Sequence, residues 1–309
     1  MVSRVKPPTS ASSTDLVRAH VERARLGALA YRLLGTISDA EDAVQETYLR
    51  WYRLTREERE QVRAPMAWHT KTLSRICLDQ LRSARTRREV YVGEWLPEPV
   101  PDAEIWAINS LSPPMAERAD PLSLAHSVSM ALMIVLDKMT PAERVSFILH
   151  DVFQYSFAEI GEIVGRTPHA CRQLASSARK RIGPADQVRV SRTEHQRVNA
   201  AFKAAWTSGD ISDLVEVLET QARAVTDGGG RVSAAIEPIH GAEAIAEFFL
   251  SVLERQPNLQ IHEALVNGEP GLVGKAARQT VAVISTCLRN GRISEIWAMR
   301  NPDKLRVWQ

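Results

Sequence analysis

The stretch SFAEIGEIVGRTPHACRQLASSARKRI, from Ser156 to Ile182, decides how the middle of the chain folds. Its first half places apolar residues at helical spacing, and Gly165 then supplies the positive φ that a sharp turn needs. Thr167 can cap a second helix, with Pro168 in its first turn, where a missing backbone donor costs little. The pattern predicts two short helices joined by a tight turn.

The second of these helices turns polar and basic side chains outward. They are His169, Arg172, Gln173, Ser176, Arg179, Lys180 and Arg181. Side chains that can read bases near the start of a helix, followed by cations, are typical of a DNA-binding helix-turn-helix. An ordinary helical hairpin with a solvated basic face is the alternative.

Size and composition indicate a globular protein of more than one domain. The 309 residues have room for two or three domains, and 44% hydrophobic and 25% charged residues are values of a globular chain. No stretch approaches the roughly 18 apolar residues of a membrane span, and no signal segment is visible, so we expect a cytoplasmic protein with no membrane partner. The polar residues 1–13 are expected to be disordered. Cys77, Cys171 and Cys287 lie far apart and predict buried thiols, with no metal site and no cofactor.

Two helical patterns precede the helix-turn-helix. In SDAEDAVQETYLRWYRL, Ser38 is expected to be the cap, and Val44, Tyr48, Leu49 and Tyr52 are expected to face inward. The acidic residues of this helix face outward. The helix dipole alone would favour acidic residues near the start of a helix, so a solvated acidic face is the alternative interpretation. The next helix, beginning at Ala64-Pro65, interleaves aromatic residues with cations, as single-stranded nucleic acid requires. Trp68 is either a core residue or a base-stacking platform.

The patterns divide the chain into four parts after its N-terminus. They are a helical domain over 14–90, a proline-rich linker over 91–121, a helix-turn-helix domain over 122–183 and a C-terminal domain over 190–309. Trp95 and Leu96 are unusual in a free spacer, so part of the linker is predicted to dock. Helices followed by β-branched strands, with Asn290-Gly291 as a hairpin turn, predict an α+β domain with a curved sheet. The stretch ETQARAVTDGGG lacks alternation and predicts a short or irregular strand.

Several separate motifs, in order, resemble one family. DAEDAVQETYLRWY, APMAWHTKTLSRICLDQLRSARTRR and the helix-turn-helix are similar to regions 2 and 4 of extracytoplasmic-function (ECF) sigma factors. WLPEP (Trp95 to Pro99), DGGG (Asp227 to Gly230) and NPDKL (Asn301 to Leu305) resemble the SigJ-like group, which carries a C-terminal SnoaL-like domain of the NTF2-like fold. The implied architecture is two all-α modules followed by an α+β cone domain.

The resemblance implies partners and assigns them residues. Core RNA polymerase would be bound through its β′ clamp and β flap, with the clamp contacted by Asp39, Asp42, Gln45 and Glu46. Promoter DNA at the −10 element would meet Trp68, Lys71, Arg75, Asp79, Arg82 and Arg85. The −35 element would meet His169, Arg172, Gln173, Ser176, Arg179, Lys180 and Arg181.

The C-terminal domain is expected to regulate, in place of a separate anti-sigma factor. The contact between linker and domain would involve Trp95, Leu96, Pro97, Asp227, Gly228, Asn301, Pro302 and Asp303. A small molecule in the cavity of the cone is a further implied ligand. Related domains catalyse cyclisation with an Asp or a His, and the candidates here are Asp227, His240 and His262. Nothing around them favours catalysis, so we expect no enzyme activity.

Two other functions stay open at this point. A helix-turn-helix regulator with a ligand-sensing domain would bind DNA without polymerase and would not need the acidic helix. A cyclase-like enzyme fused to a DNA-binding module would turn over polyketide-like or steroid-like substrates. The acidic helix and the basic aromatic helix together favour the sigma factor.

Overall fold

The computed structural model describes residues 13–88, 91–101, 129–182 and 190–309, and all of their side chains except those of 13–19 and 84–88. The predicted disordered segment up to residue 12, the linker beyond Pro101 and the expected helix start at Ser123 therefore lie outside the described residues. So does the side chain of Arg85.

Four helices form the N-terminal module: α1 (Ser13–Leu34), α2 (Ile37–Arg53), α3 (Arg56–Gln61) and α4 (Pro65–Arg88). Gly35 ends α1 at φ 85°. The predicted cap at Ser38 is wrong, because Thr36 caps α2 by accepting a hydrogen bond from the Asp39 amide, at 3.2 Å. Ser38 already lies in the first turn.

The described part of the second module, residues 129–182, also has four helices: α5 (Met130–Asp137), α6 (Pro141–Phe147), α7 (Phe157–Val164) and α8 (Pro168–Ile182). A π-helical turn, Ile148–Val152, extends α6. Ser156 caps α7 in a capping box, and Gly165 ends it at φ 73°. The Thr167 hydroxyl accepts from the Ala170 amide at 3.2 Å, so the predicted helix-turn-helix is confirmed.

One apolar cluster joins the two helical modules. It contains Leu29 and Leu73 from the first module together with Leu149, Ile160 and Cys171 from the second. Burying these side chains together is favourable by about 25 cal/mol per Å² of apolar surface. The two modules therefore pack as one helical body in this state.

The C-terminal domain combines three helices with one sheet. The helices are α9 (Arg192–Ser208), α10 (Ile211–Val217) and α11 (Ala242–Arg255). The strands are β1 (Leu218–Asp227), β2 (Ile239–His240), β3 (Gln260–Val266), β4 (Glu269–Ala276), β5 (Gln279–Arg289) and β6 (Arg292–Met299). They stand in the order β2-β1-β6-β5-β4-β3, with only the β1–β6 pair parallel. Asn290 and Gly291 make the predicted turn, with φ 52° and 74°.

The two faces of the sheet are covered differently. The domain's own helices cover the inner face, where Phe202, Trp206 and Phe249 pack together. The outer face carries a second cluster, in which strand residues pack against Leu96 of the linker and Met130 of α5. The linker and the helix-turn-helix module thus lie against the C-terminal sheet.

Two expectations about single elements need correction. Leu49 and Tyr52 do not face inward; they are 45% and 68% exposed. Strand β1 is irregular as expected, since its pairing with β6 shifts register between Leu218 and Arg223, but at ten residues it is not short. Because β1 lies between two strands, neighbours on both sides supply hydrogen bonds that its sequence pattern does not reveal. Among the described residues, no helix is long and apolar enough to cross a bilayer.

Candidate functional site

Helix α8 presents its predicted reading surface to solvent. His169, Arg172 and Gln173 are exposed, while Ser176 is half-buried. Cys171, Ala175 and Ala178 are buried on the opposite side and fix the helix against its module. The Arg172 guanidinium lies over the ring of Phe157, 5.4 Å from its centre, which holds it near the start of α8.

The cations at the end of α8 are exposed but two of them are partly paired. Arg179 donates two hydrogen bonds to Asp151, at 2.7 and 3.3 Å. Arg181 lies 3.6 Å from Glu143, and hydrogen bonds from Ser177 and Thr140, together with this charge, lower the pKa of the Glu143 carboxyl against the effect of its burial. The Arg179 and Arg181 side chains are 45% and 50% exposed, so water competes for both cations and phosphates can replace their carboxylate partners.

Trp68 on α4 belongs to an aromatic cluster beside α2. Its ring meets Trp51 edge-on at 5.1 Å and His69 at 5.7 Å. His69 is buried, and burial lowers its pKa, so this imidazole stays neutral. Trp68 is half-buried and packed, which favours the core interpretation while leaving one part of its ring accessible.

The basic face of α4 meets the helix-turn-helix directly. The Lys71 ammonium lies 2.5 Å from a carboxylate oxygen of Glu162 on α7, and Arg75 donates to the Glu162 carbonyl at 2.7 Å. A hydrogen bond and the charge of Lys71 lower the pKa of the Glu162 carboxyl. Farther along α4, Arg82 pairs with Asp79 at 3.3 Å. Two of the cations assigned to the −10 element, Lys71 and Arg75, are therefore held by the helix-turn-helix, and a third, Arg82, is paired within α4.

The acidic residues of α2 have separate local roles. Asp39 accepts a hydrogen bond from the Thr36 hydroxyl at 2.6 Å, so it also stabilises the start of the helix. Asp42 and Gln45 are exposed without such a role, and Glu46 pairs with Arg50 at 2.8 Å. The exposed Leu49 and Tyr52 continue this surface by one to two turns. The sequence pattern missed them because apolar residues are normally assigned to the core.

A buried carboxylate anchors the linker to the C-terminal domain. Asp227 is fully buried and accepts hydrogen bonds from the Tyr91 hydroxyl at 2.6 Å and the Leu96 amide at 2.9 Å. The Lys304 ammonium lies 2.7 Å from Asp227 and also donates to the Leu96 carbonyl at 2.6 Å. The Gly229 amide donates to the same carboxylate at 3.0 Å.

Aromatic rings and the NPDKL segment complete this anchor. The Lys304 ammonium is 4.2 Å from the centre of the Trp95 ring, a favourable cation–π distance. Asn301 donates to the Tyr91 hydroxyl at 3.0 Å and also caps the short 3₁₀ turn Pro302–Lys304. Burial, and then the neighbouring Asp227, raise the pKa of the Tyr91 phenol. Trp95, Leu96, Asp227 and Asn301 are thus brought together as predicted.

The remaining interdomain candidates have other contacts than the Asp227 carboxylate. A Cβ on Gly228 would lie 2.5 Å from the Val232 carbonyl, so this glycine allows a close loop rather than a contact with the linker. Pro97 lies near Gly35 of the first module. Asp303 is exposed and pairs with Arg231 and Arg306.

The other side of the linker is bonded to the N-terminal module. The Glu98 amide donates to the Gly35 carbonyl, and its carboxylate accepts from the Ile37 amide, both at 2.8 Å. The Tyr31 hydroxyl donates to the Glu98 carbonyl at 2.8 Å and accepts from Asn267 of the C-terminal domain at 2.9 Å. Burial raises the pKa of Glu98, and the Ile37 hydrogen bond opposes this.

Sequence reasoning missed several residues of this junction: Tyr31, Tyr91, Glu98, Asn267 and Lys304. For Lys304 the signal was present, since it lies inside the NPDKL motif. Nothing in the sequence relates this lysine to Asp227, its partner 77 residues away, and buried lysines are rare.

The inner face of the sheet holds a small apolar cavity. Its free volume is about 30 Å³, and Phe248, Val252 and Ile284 are among its lining residues. His240 and His262 are exposed on strands and do not line it, and Asp227 is committed to the linker. None of the three candidates combines a titratable group with an apolar pocket. In the part of the chain that the structure describes, no cluster of residues could hold a metal ion.

Two helical modules, one of them a helix-turn-helix with an exposed reading face, define a DNA-binding transcription factor with an appended α+β domain. Comparisons agree with this class. Models of Sigma-70 region 2 and of Sigma-70, region 4 match residues 16–87 and 129–182. The crystal structure of the Mycobacterium tuberculosis extracytoplasmic function sigma factor SigJ superimposes with a TM-score of 0.71 at 32% identity, covering 94% of this chain and 98% of that one.

Relatives extend the similarity over nearly the whole chain. The ECF RNA polymerase sigma factor SigJ of Mycobacterium tuberculosis (strain ATCC 25618 / H37Rv) is 37% identical over 296 residues, 91% of this chain and 90% of SigJ. The probable ECF RNA polymerase sigma factor SigI of the same strain is 31% identical over 289 residues, 93% of each chain. The chain belongs to the ECF RNA polymerase sigma factors, and it is a promoter-directing alternative sigma factor. The predicted fold class, helical regions 2 and 4 followed by an α+β domain, is confirmed.

Proposed function

We propose that this sigma factor contacts the β′ clamp of core RNA polymerase through the acidic face of α2. Asp39, Asp42, Gln45 and Glu46 would supply charge complementarity, which speeds association and fixes register. Leu49 and Tyr52 support the proposal, because exposed apolar side chains beside an acidic group are typical of a protein interface. Region 4 would contact the β flap. Such a factor acts with polymerase in the cytoplasm.

The two promoter elements are assigned to two helices. Helix α4 would hold the unpaired bases and phosphates of the −10 element, through Trp68, Lys71, Arg75, Asp79, Arg82 and Arg85. Helix α8 would enter the major groove at the −35 element, where His169, Arg172, Gln173 and Ser176 read bases. Arg179, Lys180 and Arg181 would bind phosphates.

The C-terminal domain is proposed to regulate promoter binding in place of an anti-sigma factor. The single observation that carries this proposal is the linker, which is hydrogen-bonded to the first module through Glu98 and to the C-terminal domain through Leu96. Promoter elements are separated by a spacer, so the helical modules have to separate to reach both. A docked linker and a shared helical core oppose that separation. The compact state would therefore be the inactive one.

Catalysis is not part of the proposal. The exposed positions of His240 and His262 argue against an acid–base role, which requires a perturbed group in a pocket. A small ligand in the cavity could bias the equilibrium if it bound one state better. With about 30 Å³ of free volume, the cavity would have to widen to admit more than a water-sized group.

Run-off transcription with bacterial core polymerase tests the function. We compare the full chain, the full chain with Trp95→Ala and a chain that ends near residue 189. Promoter-specific transcripts from the full chain are expected, with more from Trp95→Ala because the ring beside Lys304 is lost. If Trp95→Ala changed neither transcription nor compactness, the docking proposal would fail. Binding of a DNA site without any transcript would instead favour an ordinary helix-turn-helix regulator.

A further inference from the structure

A row of paired residues crosses the outer face of the C-terminal sheet. Strand pairing places Val266 opposite Glu269, Cys287 opposite Glu295, and Glu295 opposite Arg223. The β4–β5 register, with Gly271 opposite Ser285, brings Glu269 beside Cys287. Directly paired side chains lie on the same face of a sheet, so these residues form one line from β3 to β1.

Other parts of the chain contact this row on both sides of Glu269. Pro101 of the linker forms a β-bridge with Val266. Ala131 and Ile134 of α5 pack against the cluster to which Cys287 also belongs. The docked linker and the first helix of region 4 therefore lie against the sheet on either side of Glu269, which is itself half-buried.

Glu269 is a half-buried carboxyl in the middle of this row. In the described part of the chain, no residue donates a hydrogen bond to its carboxyl, and no cation forms an ion pair with it. Burial is the cause that raises its pKa from the ordinary 4.5 to about 7. A carboxyl in such a place is accommodated best in its neutral form, because a charge removed from water is costly without a partner.

We propose that Glu269 makes the docking of the linker and α5 on the sheet proton-sensitive, with protonation favouring the closed state and deprotonation favouring release. The inference rests on the proposed function, in which docking restrains the helical modules. It adds a class of signal, a change in proton concentration, which acts at the outer face of the sheet rather than at the cavity.

The two titratable groups that follow Glu269 in the row have pKa values shifted in the same direction as its own. Cys287 and Glu295 follow it in the row, and burial raises the pKa of each, so both also resist carrying a negative charge. Arg223 lies 3.7 Å from Glu295, and the charge of Lys138 at the end of α5 acts on Glu295 as well. His240 ends the row beside Arg223, and His262 lies on the same face of β3. Arg223 and Lys138 lower the pKa of Glu295 against the effect of its burial, whereas burial is the one cause of the raised pKa of Glu269.

The direction of the pH effect follows from linkage. In the released state Glu269 regains its ordinary pKa, so the docked state binds the proton more tightly. The contribution of this proton to docking is complete below about pH 4.5 and is lost as the pH rises through about 7. Between pH 6 and pH 8 the ratio of closed to open molecules should fall about tenfold.

Amide hydrogen exchange in the full free chain tests the proposal, because protection measures opening even when the open state is rare. The Leu96 amide, bonded to Asp227, and the Asn267 amide, bonded to the Val100 carbonyl, report docking. After correction for intrinsic exchange, their protection should fall about tenfold from pH 6 to pH 8. Amides in the middle of β5 serve as the reference for unfolding of the sheet.

Glu269→Gln, which is neutral in both the docked and the released state, should give protection of these amides that does not change with pH and that exceeds the protection of the unchanged chain at pH 6. Glu263→Gln is the matched control, because Glu263 is exposed on the neighbouring strand β3 and pairs with Lys203. It should retain the pH dependence of the unchanged chain. A pH-independent protection in the unchanged chain, or an unaltered slope in Glu269→Gln, would overturn the proposal. Neither result would affect the promoter-directing function, since no polymerase takes part.

Discussion

Two lysine–carboxylate pairs lie at the two junctions of this molecule, and they differ in burial. Lys304 and Asp227 are 2.7 Å apart, with side chains 9% and 0% exposed. Lys71 and Glu162 are 2.5 Å apart, with side chains 38% and 67% exposed. The shorter pair is the weaker one, because water competes for both of its groups and salt screens it. Distance alone does not rank ion pairs; the surroundings do.

The number of partners widens the difference. Asp227 also accepts from Tyr91, Leu96 and Gly229, so its negative charge is fully solvated by the protein. Removing one member of such a set leaves the others buried and unsatisfied. Glu162 has water on most of its surface, and its loss leaves nothing stranded.

The largest effect is expected for Asp227→Asn. The change should lower the free energy of unfolding of the C-terminal domain by about 3–5 kcal/mol, because Lys304 keeps its buried position without a counter-ion. Urea unfolding of the full chain, followed by circular dichroism, measures it. Asp303→Asn is the control, since Asp303 is exposed and pairs only with Arg231 and Arg306 among the described residues; its cost should stay below about 1 kcal/mol. If both substitutions lowered the free energy of unfolding equally, burial would not explain the difference between the two ion pairs.

Arg144→Ala tests whether burial also decides the strength of a charged contact at the junction between the two helical modules. Arg144 is 1% exposed, donates to the Arg32 carbonyl of α1 at 3.1 Å and lies 3.4 Å from Asp137. The substitution should lower the free energy of unfolding of the helical body by about 2–3 kcal/mol, because it removes a buried, charged hydrogen bond between the helical modules. Thermal unfolding of the helical body measures this. Arg166→Ala, an exposed neighbour on the helix-turn-helix, should change stability by less than about 0.5 kcal/mol.

The smallest effect is expected for Glu162→Gln. Freeing Lys71 and Arg75 should increase the affinity for a single-stranded −10 oligonucleotide only a few-fold, because the exposed pair holds them weakly. Fluorescence anisotropy at low salt measures it. Glu60→Gln removes an equal charge from an exposed pair with Arg56 on α3. If both variants gained the same affinity, net charge would explain the result and the Lys71–Glu162 contact would not matter for DNA.

The helix-turn-helix was predictable from the sequence almost residue by residue. Its signals are local: Ser156 and Glu159 cap α7, Gly165 ends it and Thr167 begins α8. The same reasoning failed at Ser38, because Thr36 offered an equally good cap two residues earlier. It failed at Leu49 and Tyr52 because an apolar side chain at an interface looks like a core residue until the fold is known.

The motifs of the linker and of the C-terminal domain indicated that the two belong together. Trp95, Leu96, Asp227 and Asn301 do meet, but the sequence did not indicate how. The Tyr91 and Lys304 contacts to Asp227 and the Tyr31–Asn267 hydrogen bond join residues that no spacing relates. Glu269 likewise carries no signal of its own, since the strand register places it in the row on the outer face of the sheet.

The sequence by itself determined the order of the modules, the limits of the helix-turn-helix and the face of α8 that points to solvent. These features depend on interactions within about four residues, which periodicity and capping residues express directly. Only the tertiary structure decided which charges are buried, which cations are occupied and which apolar residues are left exposed. Those properties depend on water being excluded by segments as far apart as Tyr31 and Asn267, 236 residues from each other, and a linear pattern does not encode which distant segment will exclude it.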